Sequence, residues 1–325
     1  MTTTIPHSVT PFTYLTGTIV AANPGGKPPT AANGITAVFN GQLQTLASST
    51  PGAMWRNSTT PPVSPMGICG DMSNGVVIFN TTSSISGSTD TTTSVAYALT
   101  GVGVAGASWS KLPPLPVDEG CSTPAIEAIC GDLYNGLVVS SGKYVYAMSF
   151  TSYPREWTKI GQTPHNITAI AGDPTNGILI ATDPTNSDGT SSNTTVLYVN
   201  NASCPCTLAP LTGGSLPVAR IRVSQMCGSL KNGFILYGEN QLMQLTVTAA
   251  TATAGPSGTQ TMLSPLPFSI VAMTGDPVNG MAVIAVPNDG SNAGTSGTLL
   301  ASCAPSTTAL ASSWNVVTLQ DQPLA

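Results

Sequence analysis

The sequence predicts an all-β protein, a closed ring of six radial sheets with four antiparallel strands in each. Three observations carry that expectation. An Asn-Gly pair recurs six times between a short strand-like run and an apolar run. A pattern of four-strand size repeats around each pair, which is the signature of a toroid of sheets. All four tryptophans of the chain fall at one position of that repeat.

The pairs are Asn33-Gly34, Asn74-Gly75, Asn135-Gly136, Asn176-Gly177, Asn232-Gly233 and Asn279-Gly280. In the last five the preceding residues are also alike: Ile68-Cys69-Gly70-Asp71, Ile129-Cys130-Gly131-Asp132, Ile170-Ala171-Gly172-Asp173, Met226-Cys227-Gly228-Ser229 and Met273-Thr274-Gly275-Asp276. The first two strands of each repeat flank this Gly-Asp-x-x-Asn-Gly turn, where Asn and Gly are expected to supply the positive φ of a tight hairpin. Asp71, Asp132, Asp173 and Asp276 recur at one turn position, as residues that accept backbone N–H bonds. A third strand is expected at Gln42–Thr45, Val95–Leu99, Tyr144–Met148, Val196–Val199, Gln241–Val247 and Leu299–Ser302. The fourth opens on Trp55, Trp109, Trp157 and Trp314 in four repeats. A large apolar body with one N–H donor suits a wedge between sheets.

Odd and even repeats differ. From the Asn-Gly glycine to the tryptophan is 21 residues in repeats one and three and 34 in repeats two and six. Odd repeats turn tightly between strands two and three, at Asn40-Gly41, Ser141-Gly142 and Gly238-Glu239-Asn240. Even repeats insert Ser/Thr/Gly/Asp-rich loops at 80–94, 183–195 and 287–297. The expected architecture is therefore a six-bladed β-propeller of three double-blade units, with approximate threefold symmetry and three long loops crowning one face. Residues 1–14 form an arm, Ile19–Pro24 the first strand, and 15–325 a single ring with blades near 15–60, 61–116, 117–163, 164–217, 218–266 and 267–325. Asp90, Asp183, Asp188, Asn288 and Asp289 in the long loops are the candidate contacts to a ligand or partner.

Composition fits such a body. The chain has 41% hydrophobic and 7% charged residues, with 33 glycines and 27 prolines, which suits a turn-rich β fold and not a disordered chain. A net charge of −5, with nine basic residues scattered along the chain, excludes nucleic-acid binding, which needs clustered cations. No run is long and apolar enough to insert in a membrane, and the start lacks the basic and apolar regions of a secretory signal. So few charges suit a subunit buried in an assembly or an exposed coat. Synthesis in a host cytoplasm and service on a virion would satisfy both, with an extracellular or cell-surface place as the alternative. The five sequons, at Asn57, Asn80, Asn166, Asn193 and Asn201, imply little in a chain so rich in Thr, Ser and Asn.

Seven cysteines are present, and Cys69, Cys130 and Cys227 share one repeat position that holds Ala171 and Thr274 elsewhere. Small buried free thiols near the ring axis are expected there. Cys204-Pro205-Cys206 could bind a soft metal, but the chain has only His7 and His165 to complete a ligand set. Calcium is the other possibility, at Asp183–Gly189 and Asn288–Gly290, whose spacing is not that of an EF-hand. No cofactor is otherwise expected.

Strand, Gly/Asn turn, strand, third strand, then a tryptophan opening the fourth resembles the BNR (Asp-box) and related lectin-type β-propeller repeats, including degenerate ones of phage and bacterial surface proteins. The likeness covers nearly the whole chain as a strand pattern. The Asp-box itself, Ser-x-Asp-x-Gly-x-Thr-Trp, is absent before Trp109, Trp157 and Trp314, so the resemblance implies a fold and not a sialidase activity. A sialidase-like site needs an arginine cluster, and Arg220 with Arg222 is the sole close pair. Other glycosidases need two facing carboxylates, to which Asp118, Glu119 or Glu127 could contribute one. No Ser-His-Asp set, phosphate loop or HExxH helix is present. The expected function is a non-enzymatic structural or attachment subunit of a virus particle, phage more than eukaryotic virus, binding other virion or surface proteins. The alternative is a lectin that binds glycans in repeated pockets between blades.

Overall fold

The computed structural model describes residues 12–17, 35–39, 42–46, 56–72, 74–86, 89–102, 104–117, 124–150, 154–183, 196–200, 209–210, 221–248, 257–263, 268–277, 280–287, 299–303 and 314–318. Within them lie 24 strands, β1 to β24 in chain order, grouped as six four-stranded antiparallel sheets. The first sheet contains β1 (Phe12–Gly17), β2 (Ile35–Phe39), β3 (Gln42–Leu46) and β4 (Arg56–Asn57). The second contains β5 (Gly67–Asp71), β6 (Gly75–Ser86), β7 (Thr89–Leu99) and β8 (Trp109–Lys111). The third contains β9 (Ala128–Asp132), β10 (Gly136–Ser141), β11 (Tyr144–Met148) and β12 (Thr158–Gln162). The fourth contains β13 (Ile167–Asp173), β14 (Gly177–Thr182), β15 (Val196–Asn200) and β16 (Ala209–Pro210). The fifth contains β17 (Gln225–Ser229), β18 (Gly233–Gly238), β19 (Gln241–Thr248) and β20 (Ser257–Met262). The sixth contains β21 (Phe268–Asp276), β22 (Gly280–Pro287), β23 (Leu299–Cys303) and β24 (Trp314–Thr318).

Every sheet is a plain meander, and the first strands neighbour one another in series: β1 with β5, then β9, β13, β17 and β21. β21 in turn neighbours β1, which closes the circle. This is the arrangement of a β-propeller. Each sheet takes its four strands from one continuous stretch of chain, so among the described residues no strand is exchanged across the seam between first and last sheets.

The second strands explain the packing. Residues alternate between the faces of a strand, and here both faces are covered by a neighbouring sheet, so a run of consecutive apolar residues follows the first glycine of the strand. Val76 and Ile78 pack with Val38 and Leu43 of the first sheet, while Val77 and Phe79 turn to Leu137 and Val139 of the third. Val138 meets Ile178 and Ile180; Leu179 and Ala181 meet Phe234 and Leu236; Ile235 and Tyr237 meet Met281 and Val283. β10, β14 and β18 are buried at every position. Cys69, Cys130 and Cys227 are buried free thiols in these same interfaces, where the wedge is narrow and a small side chain fits.

The tryptophans follow from this geometry. Trp157, just ahead of β12, is buried against Leu112 and Leu115 of the segment that follows β8 and donates its indole N–H to the Pro113 carbonyl at 2.9 Å. Trp109 opens β8 and packs half-buried on the first-sheet side, near Val63, with its indole N–H buried and without a hydrogen-bond partner among the described residues. Trp314 opens β24, and Trp55 lies outside the described residues.

Three expectations need correction. The stretch 80–94 is not a loop. β6 and β7 run on as a continuous ladder from Val76↔Leu99 out to Ser86↔Thr89, which places Asp90 on a strand. The first strand of the first sheet is Phe12–Gly17, ahead of Ile19–Pro24, which lies outside the described residues. Its backbone ladders antiparallel onto β2 from Phe12↔Phe39 to Gly17↔Ile35, with a bulge between Phe12 and Tyr14. Finally, positive φ in the repeated turn belongs to the two glycines. Gly70, Gly131, Gly172, Gly228 and Gly275 precede the acidic position, and Gly75, Gly136, Gly177 and Gly233 follow the asparagine. Among the described residues, positive φ outside glycine occurs only at Glu239 and Asn240, the tight turn between β18 and β19. Successive positive φ values are those of a type I′ hairpin.

Gly131→Ala should therefore cost about 3 kcal/mol, because φ is +91° and an added Cβ would strike the Gly136 carbonyl oxygen. A urea midpoint unchanged by this substitution would refute the assignment. Trp157→Ala should cost about 3–5 kcal/mol. Trp157→Phe should lose about 1 kcal/mol more than Trp109→Phe, since only Trp157 gives up a hydrogen bond. Equal losses would show that the Pro113 bond contributes nothing.

Candidate functional site

The first strands converge on the ring axis, where their Gly-Asp ends line a cavity of about 230 Å³. Three of these ends are built in the same way. The Asp71 carboxylate accepts the Asn74 backbone N–H at 2.7 Å and the Asn74 side-chain amide at 3.0 Å. Asp132 holds Asn135 likewise, at 2.7 and 2.8 Å, and also accepts Tyr134 N–H. Asp173 does the same for Thr175 and Asn176. An Asp fits because a short carboxylate can satisfy N–H groups two and three residues on, and Asn fits because its amide returns to the second oxygen.

The fifth copy departs from this pattern. Ser229 accepts Asn232 N–H through its hydroxyl at 3.2 Å, but one hydroxyl has no second oxygen to offer. The Asn232 amide instead crosses to Asp276 of the sixth sheet, at 3.1 Å. A second link between sheets was missed in the sequence. The residue after each acidic position is apolar in all five long copies: Met72, Leu133, Pro174, Leu230 and Pro277. Leu133 lies against Gly75, Pro174 against Gly136 and Pro277 against Gly233, each on the turn of the preceding sheet. The signal was present as that unbroken apolar position.

The electrostatics are those of a closed surface. Burial is the main cause that pushes the Cys69 thiol well above its ordinary value of 9.0, with Cys130 and then Asp132 adding to it. Burial likewise raises Cys130, helped by Asp173, and Cys227, helped by Asp276. Asp173 is raised as well, by burial against the lowering effect of its bonds to Asn176 and Thr175. The axis thus offers protonated thiols and carboxylates engaged in turns. Among the described residues no group of three or more His, Cys, Asp or Glu side chains is placed to hold a metal.

The candidate contacts on the opposite end of the sheets fall apart into separate places. Asp183, at the end of β14, pairs with Arg222 of the fifth sheet at 2.6 Å, and its other oxygen is buried without a hydrogen-bond partner. Asp90 lies on β7, opposite Ile85. Asp188, Asn288 and Asp289 lie outside the described residues, as do Asp118, Glu119, Arg220 and the Cys204–Cys206 pair. Glu127 accepts Gly142 N–H at 3.0 Å, so it holds a turn.

The axial thiols should resist alkylation at pH 8 in the native protein and react at once in denaturant. The sign of their pH dependence follows from the raised values. Native thiols keep their protons where unfolded ones lose them, so stability is full below about 9 and falls as pH rises further. Stability that stayed flat between pH 8 and 11 in wild type and in Cys69→Ala alike would contradict this.

No family model matches the chain, and no curated protein matches it. Solved structures of similar shape are β-propeller proteins of several kinds. The RRP9 WD40 repeats match with 9% identity and a TM-score of 0.47 over 85% of this chain and 88% of that one. The PQQ-bound aldose sugar dehydrogenase from Streptomyces coelicolor matches with 11% identity and a TM-score of 0.42, over 86% and 90%. Kluyveromyces lactis Hsv2 matches with 10% identity and a TM-score of 0.41, over 92% and 75%. They identify no Asp-box family and say nothing of activity or partners. What this chain shows by its own ladders and contacts is an all-β protein of four-stranded antiparallel sheets set around a ring.

Proposed function

We propose that the chain is a six-bladed propeller of three double-blade units, serving as a non-enzymatic structural or attachment subunit of a virus particle, a phage before a eukaryotic virus. The observation that carries this reading is the extended β6–β7 ribbon. Its strands have 12 and 11 residues, against 6 and 5 for β10 and β11. At about 3.3 Å per residue it reaches roughly 20 Å beyond the neighbouring hairpin. Its outer half, Thr81–Ser86 with Thr89–Ser94, carries one ionisable residue, Asp90.

The axis supports the non-enzymatic half of the proposal. Asp71, Asp132 and Asp173 hold turns, and the thiols beside them are kept protonated, so among the described residues these groups are engaged structurally and not poised as acid, base or nucleophile. The low charge of the whole chain suits a coat whose surface meets other protein surfaces. Partners would be other virion or surface proteins, with glycans the alternative.

Removing residues 82–93 and closing the hairpin with Asn-Gly should leave the urea midpoint unchanged and lower attachment to the partner or particle at least about tenfold. Stoichiometric presence of the chain in purified particles, read by mass spectrometry, is expected. Its absence from particles together with saturable binding on a glycan array would replace this reading with the lectin.

A further inference from the structure

We infer that the outer edge of β7, residues 89–93, is a strand-pairing surface by which two copies of this chain associate edge to edge. The β6–β7 ladder ends at Ser86↔Thr89, which leaves a two-residue connection, so that pair and Ser84↔Thr91 exchange the hydrogen bonds of the hairpin. The backbone N–H and C=O groups of Asp90 and Thr92 therefore point away from β6. Pairing of β7 with β8 covers only Tyr97, Ala98 and Leu99, and the Ala96 carbonyl accepts Leu112 N–H. Among the described residues no strand lies beside 89–93 on that side.

Exposed edges are normally blunted by shortness, Lys or Pro. Four of the six fourth strands do so: β4, β8 and β16 have two or three residues, β12 carries Lys159, and β16 ends in Pro210, whereas β20 and β24 have six and five residues without Lys or Pro. The segment Thr89-Asp90-Thr91-Thr92-Thr93 has none of these, and four of its five residues are β-branched threonine.

The partner is a second copy because the edge is complementary to itself. A twofold axis at Thr91 sets Thr91 against Thr91, Asp90 against Thr92 and Thr89 against Thr93. It forms about four backbone hydrogen bonds and opposes no like charges. The base of the ribbon is rigid enough to present the edge, since Thr81 Oγ1 donates to the Ile126 carbonyl at 2.7 Å and Ile126 N–H to Ser94 Oγ at 2.8 Å. The contact is small, so the association is weak in solution and gains where copies are already crowded. Copies would meet this way whether or not they sit on a particle.

Cysteine crosslinking of the full chain tests it. Thr91→Cys sits at a non-hydrogen-bonded pair, the closer kind, and should give disulfide-linked dimers under mild oxidation at least about tenfold faster than Ser84→Cys or Thr259→Cys on the β20 edge. Adding Thr92→Pro removes one outward N–H without touching the β6 ladder and should slow that crosslinking to the control rate. Dimers forming no faster at Thr91 than at Thr259, or a rate indifferent to Thr92→Pro, would overturn the proposal. So would crosslinking of Thr91→Cys only to a different protein when a lysate is present.

Discussion

The structure depends on burying both faces of every second strand between neighbouring sheets. A sheet with one apolar face needs one partner, but β10, β14 and β18, buried at every residue, need two. Each sheet is therefore at once the cover of one neighbour and the core of the next, and the series ends only when the last sheet meets the first. Closure of β21 on β1 is the consequence, and no exchanged strand is required for it.

The repeated turn serves that closure. Two glycines of positive φ fold the inner hairpin so sharply that the Asp carboxylate can hold the Asn from below, and the apolar residue after the Asp rests on the turn of the preceding sheet. Inner ends are thus fixed within a sheet by hydrogen bonds and between sheets by contact. Where Ser229 replaces the acid, Asp276 of the next sheet takes over half its task, so the loss within one sheet becomes a bond between two. The outer ends are held differently, by tryptophans packed on the side of the preceding sheet, and here too the copies are unequal: Trp157 finds a carbonyl and Trp109 finds none among the described residues.

The sheets differ from one another at their ends and not in their middles. The axial end spends its carboxylates on turns, and the thiols beside it stay protonated under burial. The opposite end carries the polar variation: a tight turn between β18 and β19, a salt bridge between Asp183 and Arg222, and the ribbon of β6 and β7. Loops and hairpin tips on a rigid scaffold are where recognition is ordinarily placed.

Residue periodicity alone determined the ring of four-stranded units, the site of the inner turn in the last five repeats, the apolar inner part of the second strands and the small residue at the cysteine position. These depend on neighbours in the chain and on alternation, which a sequence displays directly. Tertiary structure decided what depends on partners distant in sequence. Thr81–Ser94 has a loop's composition, and only its cross-strand register turns it into a ribbon. Phe12–Gly17 is the first strand because it alone ladders onto β2 while meeting β21. The bond from Asn232 to Asp276 spans 44 residues; Ser229 in place of the acid marks this turn locally as lacking the usual acceptor, but does not say which residue supplies another. Side-chain hydrogen bonds of that kind are chosen by distance in space, which the order of residues does not record.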